Sequence, residues 1–522
     1  MAKNSLKRSA GHVGLGIMLS RILGLVRLQL FAFFLGATKY SDVFLMAFRI
    51  PNLLRDLFAE GALTTAFIPV FSDILVNDSK KQAYYFANLV INLILVLVGF
   101  IVLLGIFFAP LLVRLIAPGY LHDPTKFELT IHLVKILMPF LLFVSLAAVV
   151  MGILNVQHVF FIPSFASATF NIVSIGAGLY IYFSHPDIKK AVIIWTIGAL
   201  LGGVAQLITQ LPILFKKGYS YQPVFRFFKN KNLKRLLILI APAVIGLAAT
   251  QINILVNTIL ASTLKDGSLS WLTYAFRLIK LPIGLFGVAI ATVNTAYASR
   301  AAAEKNIDKL KMNLASSLKL NYFLTIPATF GLFLLGSWII RVLFQHGNFM
   351  ASDTLQTYWA VVLYGVGLFA YASVKVLAPV YYALSQSKIP MFSSIIAVLG
   401  NLVVSLSTYK WIGFKGLALG TSTAALFNFS FLMIVFYKKF GTLKQYRVFL
   451  SFMKNLVASF IMWGSLYFFV QRINFDVSFF NQILILSLFL LISVGIYLLS
   501  SILLKVEETK RFYNLIKRKF IK

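Results

Sequence analysis

Four arginines stand in an otherwise apolar stretch near the start of the chain. Residues 20–61 read SRILGLVRLQLFAFFLGATKYSDVFLMAFRIPNLLRDLFAEG and include Arg21, Arg27, Arg49 and Arg55. A charge at membrane depth costs about 2.5–3.5 kcal/mol, so such residues usually face a protein-lined cavity and mark a substrate path. Guanidinium groups also suit bidentate capture of phosphate. The stretch predicts a membrane protein that handles an anion, although a single arginine could instead snorkel to an interface.

The acids of this stretch are scarce and lie close to its arginines. Asp42 and Glu60 flank the segment around Asn52, where Pro51 predicts a kink. We expect the two acids either to orient the arginines or to form a gate that opens when substrate phosphate replaces the carboxylate. A purely structural pairing of Arg55 with a neighbouring acid is the alternative.

A second cationic cluster lies in the other half of the chain. Arg277 and Lys280 are three residues apart and share one face of a predicted helix, which Pro282 bends. Two cationic clusters, one in each half, could grip one polyanionic head group. Snorkelling is again the alternative for each residue.

Composition sets the class of protein. Of 522 residues, 60% are hydrophobic, and the mean hydropathy is +0.88. Apolar runs of about twenty residues recur, each long enough for a ~30 Å hydrocarbon core, and continuous runs favour helices over barrel strands. We predict an all-α polytopic membrane protein with about 14 transmembrane helices.

Several function classes are disfavoured by what the sequence lacks. The chain has no cysteine, no zinc-protease spacing among its six histidines and no P-loop. We therefore predict a secondary transporter rather than an enzyme, with no cofactor and no metal centre. The net charge of +33 is interpreted as loops that face anionic lipid, not as a nucleic-acid surface.

The spans fall into similar blocks, a common transporter plan. We predict an N-terminal lobe of six spans (1–220), a C-terminal lobe of six (221–442), two further spans (443–505) and a basic tail (506–522). The most basic loops fall on the side of the N-terminus, which predicts that both termini are cytoplasmic.

The chain resembles the MurJ (MviN) family, the lipid II flippases of the multidrug/oligosaccharidyl-lipid/polysaccharide exporter superfamily. The resemblance covers essentially the whole chain. It is carried by these motifs: Ser20-Arg21, Gly24, Arg27, Ser41-Asp42, Phe48-Arg49-Ile50-Pro51-Asn52-Leu53-Leu54-Arg55, Phe58-Ala59-Glu60-Gly61, Ser270-Trp271, Tyr274-Ala275 and Arg277-Leu278.

The resemblance implies two six-helix lobes around a central cationic cavity, with the last two helices forming an apolar groove. It implies transport of lipid II from the cytoplasmic to the periplasmic leaflet of the bacterial inner membrane by alternating access. Carried over residue by residue, the cavity arginines are Arg21, Arg27, Arg55 and Arg277, with Asp42 and Glu60 as supporting acids. Beyond lipid II and membrane lipids, proteins of cell-wall synthesis or division are candidate partners.

The chain departs from many relatives where they carry acids. Leu28, Phe276 and Lys280 stand at such positions, which makes the expected cavity more cationic. Some relatives resemble sodium binders, and the matching positions here are Asn257 and Ser405, beside Asn401 and Thr421. Because hard cations prefer carboxylate oxygen, a tight sodium site is not expected, and membrane potential or another ion becomes the favoured driver.

Three other functions were weighed. A flippase for another polyprenyl-diphosphate-linked glycan, such as an O-antigen or capsule unit, would share the fold and the cations, and it is the main alternative. A cationic-drug antiporter would need acids in its cavity to attract cations, whereas the cavity expected here is cationic. A polyprenyl-phosphate glycosyltransferase would need clustered carboxylates for metal binding or base catalysis, whereas the dense acid group here is surrounded by arginines.

Overall fold

The structure, a computed structural model, describes residues 2–57, 63–227, 230–473 and 476–510. Within these ranges it contains nineteen α-helices and no β-strand. The chain divides into two compact units. The first comprises Met1–Ser270 with His346–Met350, and the second comprises Trp271–Gln345 with Ala351–Lys522.

Ten helices lie in the first unit. They are α1 (Ala2–Leu35), α2 (Lys39–Leu54), α3 (Thr64–Asn77), α4 (Lys80–Phe107), α5 (Ala109–Ile116), α6 (Pro124–Val156), α7 (Phe161–Ser184), α8 (Ile188–Ile208), α9 (Leu211–Lys216) and α10 (Lys231–Ser262).

The remaining nine helices begin at the division between the units. They are α11 (Ser268–Pro282), α12 (Val288–Ala303), α13 (Ile307–Phe344), α14 (Ala351–Val366), α15 (Leu368–Ala383), α16 (Lys388–Ile412), α17 (Phe414–Phe440), α18 (Val448–Arg472) and α19 (Phe479–Leu503). Helix α11 starts in the first unit and continues into the second.

Helix lengths confirm the polytopic all-α fold. Among the described residues, eleven helical segments are long and apolar enough to cross a membrane, and the pair α14 and α15, bent by 43°, makes a twelfth. Two shorter apolar segments are Thr64–Asn77 and Gln251–Ser262. This pattern is consistent with the predicted fourteen spans.

The compact units follow a different division from the predicted lobes, whose boundaries remain a prediction. The predicted second lobe (221–442) includes α10, whereas the structure groups α10 with the first unit. Arg235 near its start pairs with Asp73 of α3 at 2.5 Å, and just beyond its end Asp266 pairs with Lys126 of α6 at 2.6 Å. Contacts at both ends therefore tie α10 to the first unit.

Two buried amides of α4 hold the segment at residues 220–224, which leads into α10, by hydrogen bonds. Asn92 donates to the backbone oxygens of Gln222 (3.0 Å) and Val224 (3.1 Å), and Asn88, one helical turn earlier, donates to that of Ser220 (3.1 Å). One turn of helix rises about as far as two residues of extended chain, so side chains four residues apart on α4 reach backbone oxygens two residues apart on the segment. Neither amide is more than 2% exposed.

The turn between α1 and α2 requires glycine. Gly36 has φ +58°, and a Cβ there would lie 2.2 Å from the carbonyl oxygen of Asn348. Asn348 in turn donates to the backbone oxygens of Phe33 (2.9 Å) and Phe34 (2.6 Å), which are left open at the end of α1. These contacts explain why His346–Met350 is grouped with the first unit.

Candidate functional site

The two arginines of α1 lie where α1 packs against α7. Arg21 is exposed and Arg27 is partly buried. The guanidinium carbon of Arg27 lies 4.9 Å from the ring centroid of Phe170 on α7. The next α7 residue, Asn171, donates to the carbonyl oxygen of Ser20 at 3.0 Å, immediately before Arg21. Two consecutive residues of α7 therefore contact Arg27 and the residue that precedes Arg21.

The end of α2 brings together several of the predicted polar residues. Pro51 lies inside the helix, and a π-helical turn follows at residues 55–57. Arg55 forms an ion pair with Asp56, Nη2 to Oδ1 at 2.9 Å, and Gln251 of α10 donates to the other oxygen of Asp56 at 3.3 Å. This is the pairing that the structural alternative anticipated.

Of the other site residues predicted in this segment, the structure describes Arg49 and Asn52. Arg49 and Asn52 are partly buried on α2, six and three residues before Arg55. Glu60 lies outside the described residues. The segment therefore presents cationic and amide side chains along the last turns of α2.

Asp42 caps another helix. It is 2% exposed, and its carboxylate accepts hydrogen bonds from the backbone N–H of Gly267 (2.8 Å), the backbone N–H of Ser270 (2.9 Å) and the hydroxyl of Ser270 (2.6 Å). These donors lie at the start of α11, where an anion complements both the open N–H groups and the helix dipole. Within the described residues its hydrogen bonds go to α11 rather than to an arginine, so it orients the start of the helix that carries Arg277.

The second predicted cluster lies on α11 in the second unit. Arg277 and Lys280 are both exposed, and the Lys280 ammonium lies 5.0 Å from the ring centroid of Phe276. That ring packs against Tyr364 at 5.2 Å. An aromatic face therefore stands beside Lys280.

The start of α11 is fixed within the second unit as well. The indole N–H of Trp271 donates to the carboxylate of Asp353 on α14 at 2.9 Å, and both residues are buried. Beyond Pro282 the helix continues as a π-helical turn, Ile283–Gly287, into α12. Helix α11 therefore has a fixed start and an irregular segment beyond its cations.

The weak sodium-site candidates are all uncharged residues. Asn401 and Ser405 on α16 are buried, and the Ser405 hydroxyl donates to the Asn401 side-chain oxygen at 3.0 Å. Thr421 lies on the adjacent α17, whereas Asn257 lies on α10 of the first unit. No cluster of three or more His, Asp or Glu side chains with metal-binding geometry occurs in the part of the chain that the structure describes. The donors present fit a tightly held sodium ion poorly, since no carboxylate is among them.

Several residues of these sites were missed by sequence reasoning. Phe170 reads as one more apolar residue of a span, and nothing in the sequence marks it. Asn171 and Gln251 did carry a signal, because an amide inside an apolar span requires a hydrogen-bonding partner. Sequence alone could not say that the partners would be Ser20 and Asp56.

Comparisons with known proteins point in one direction. The family model described as "Lipid II flippase MurJ" matches residues 31–487. A Rhizobium tropici protein named "Probable lipid II flippase MurJ" is 33% identical, covering 99% of this chain and 97% of its own. The Burkholderia cenocepacia "Lipid II flippase MurJ" is 31% identical, covering 88% of this chain and 89% of its own.

Solved structures show the same likeness. The structure described as "Lipid II flippase MurJ, inward closed conformation" aligns with a TM-score of 0.78 and 28% identity, over 98% of this chain and 99% of that one. An inward-facing multidrug resistance MATE transporter aligns with a TM-score of 0.69 at 15% identity, over 84% of this chain and 99% of its own. The second likeness is one of fold.

Proposed function

This chain belongs to the lipid II flippase MurJ family, and we propose that it moves lipid II from the cytoplasmic to the periplasmic leaflet of the bacterial inner membrane. The single observation that carries the proposal is the match to the family model over residues 31–487. A flippase changes the leaflet of its substrate without making or breaking covalent bonds, so the residues that matter are those that bind and release.

The cationic side chains are proposed to handle the diphosphate. The first unit supplies Arg21, Arg27 and Arg55, the second supplies Arg277, and Arg49, Asn52 and Lys280 are proposed as further contacts. A diphosphate carries at least two negative charges, and bidentate guanidinium bonds suit its oxygens. The pairing of Arg55 with Asp56 supports an exchange in which substrate phosphate takes the place of a carboxylate.

The transport cycle is proposed to be alternating access with both termini in the cytoplasm. The neutral set of Asn257, Asn401, Ser405 and Thr421 favours membrane potential or an ion other than sodium as driver. Helices α18 and α19 are proposed to accommodate the polyprenyl tail, whose transfer into water would be costly. Proteins of cell-wall synthesis or division remain proposed partners.

The test is replacement of a host's own lipid II flippase by this chain in a bacterium in which that flippase can be depleted. We expect the unsubstituted chain to restore growth and Arg21→Ala, Arg55→Ala and Arg277→Ala to fail at equal expression. Arg114→Ala, an exposed arginine at the end of α5, is the matched control and should restore growth.

Two results would overturn parts of the proposal. Growth with all three alanine variants would show that these arginines do not bind substrate. A well-inserted unsubstituted chain that neither restores growth nor moves lipid II in proteoliposomes, but moves another polyprenyl-diphosphate glycan, would change the substrate.

A further inference from the structure

Phe170 forms the platform on which Arg27 rests. The guanidinium carbon lies 4.9 Å from the centroid of the ring. Helical side chains point back towards the N-terminus of their helix, so the long Arg27 side chain runs towards the level of Gly24. There α7 comes close, since a Cβ on Gly24 would lie 3.6 Å from the Asn171 amide. The contact therefore forms at a level where Gly24 lets α1 and α7 approach each other.

The ring is also contacted by two helices other than α1. A Cβ on Gly202 of α8 would lie 2.7 Å from the Phe170 ring and 3.0 Å from its carbonyl oxygen, so glycine leaves the space that the ring occupies. The Phe140 ring of α6 packs against it at a centroid distance of 5.9 Å and an angle of 59°. Two helices besides α1 thus fix the orientation of Phe170.

Asn171 fixes the level of α7 against α1. Its amide donates to the carbonyl oxygens of Ser20 (3.0 Å) and of Ser167 in its own helix (3.2 Å), and the side chain is 7% exposed. If the buried Asn171 amide lost the Ser20 oxygen, its N–H donor would be left unsatisfied, which costs free energy. A slide of α7 along α1, which would move Phe170 away from Arg27, is therefore disfavoured.

Stacking on a ring suits an arginine that must bind an anion. A cation over an aromatic face is attracted by the quadrupole of the ring, and the attraction is stronger when the pair is desolvated. In a stacked pair a guanidinium presents its flat face to the ring, whereas a phosphate bonds to the N–H groups along the guanidinium edge. A ring can thus hold the plane of an arginine without competing for its anion-binding edge, as a carboxylate would.

We infer that Phe170 is a positioning residue for substrate binding, which orients Arg27 so that its N–H edge meets the diphosphate of the lipid. This inference rests on the proposed function and adds to it an aromatic support that acts through Arg27. Asn171 and Gly202 maintain the geometry of that support.

The test compares variants at Phe170 for lipid II binding to purified protein in nanodiscs. Phe170→Leu removes the π face and keeps an apolar side chain, whereas Phe170→Tyr keeps the face. Because Phe170→Leu leaves the Arg27 side chain to be ordered when substrate binds, we expect it to raise the Kd for lipid II about three- to ten-fold, and Phe170→Tyr to stay within about two-fold of the unsubstituted protein. Phe165→Leu is the matched control, since Phe165 stacks on Phe161 of its own helix rather than on an arginine.

A double-substitution cycle separates positioning from packing. In an Arg27→Gln background no cation remains to be positioned, so Phe170→Leu should cause no further loss of lipid II affinity. The same four proteins, compared by thermal unfolding, should show a non-additive loss of stability from the lost stacking. This second measurement needs no substrate and also reports whether each variant folds.

Three outcomes would overturn the inference. Equal affinity of Phe170→Leu and the unsubstituted protein would show that Arg27 needs no aromatic support. Equal losses for the Leu and Tyr variants, or an additive cycle, would show that Phe170 only fills space. Failure of the unsubstituted protein to bind lipid II would overturn the proposed function and the inference together, while the unfolding cycle would still report whether the stacking exists.

Discussion

Replacement of Asp42 should loosen the start of helix α11. The carboxylate accepts three hydrogen bonds of 2.6–2.9 Å from Gly267 and Ser270, and only 2% of the residue is exposed. Hydrogen bonds to a charged group contribute about 1.5–3 kcal/mol each, and a buried donor left without a partner costs about 1–3 kcal/mol. Because water can satisfy some of the freed donors, we expect Asp42→Leu to destabilise this turn by about 3–5 kcal/mol.

Asp42→Asn should have a smaller effect because it keeps one acceptor oxygen. We expect a loss of about 1–2 kcal/mol, the size of a typical helix cap. Asp73→Asn is the control: Asp73 is also an aspartate bonded across helices, but it is 43% exposed and its partner is Arg235. Its replacement should leave α11 unchanged.

Hydrogen exchange measured by mass spectrometry on protein in nanodiscs reads this turn directly. Each 1.4 kcal/mol of lost local stability raises the exchange rate about ten-fold. Peptides that cover residues 267–271 should therefore exchange roughly 100- to 4,000-fold faster in Asp42→Leu and about ten-fold faster in Asp42→Asn. Unchanged exchange in a folded Asp42→Leu protein would refute the capping role, and equal acceleration in both variants would show that hydrogen bonding is not the cause.

Three further predictions concern stability. Gly36→Ala should lower the thermal unfolding temperature, since alanine is strained at φ +58°, whereas Gly99→Ala, inside α4 with open space around it, should leave it unchanged or raise it. Asn92→Leu should release the segment around residues 222–224 from α4. Limited trypsin digestion should then cut more rapidly at Lys216 and Lys217, which lie just before that segment, and an unchanged cleavage rate would contradict this. Lys319 is buried and pairs with the half-exposed Glu507 at 2.5 Å. Glu507→Gln leaves a buried ammonium without its carboxylate, so it should lower the unfolding temperature more than Lys319→Met does. The reverse order in thermal unfolding would contradict this prediction.

Sequence reasoning anticipated the class of fold because that class depends on local properties. A run of about twenty apolar residues can cross the hydrocarbon core as a helix whatever its neighbours are, since a helix satisfies its own backbone. The same reasoning located cations inside spans, where their cost demands an explanation. It also flagged Pro51 and Pro282, and the structure has a π-helical segment a few residues after each.

The roles of single acids could not be read in the same way. Asp42 and Asp56 lie fourteen residues apart in one arginine-rich segment, and on sequence grounds either could pair with Arg55. In the structure Asp42 caps α11, more than two hundred residues away along the chain, while Asp56 pairs with its neighbour Arg55. Proximity in sequence favoured an arginine for Asp42, but helix packing placed open backbone N–H groups nearer.

The sequence by itself determined that this protein is a helical membrane protein with cationic spans and, through its motifs, its family. Only the tertiary structure decided which partner each polar side chain takes: Phe170 for Arg27, the carbonyl of Ser20 for Asn171, and the start of α11 for Asp42. Hydropathy accumulates residue by residue along one segment, so it can be read locally. A hydrogen bond or a stacked pair between helices depends on the relative depth and rotation of two segments, and only the packing of whole helices fixes those.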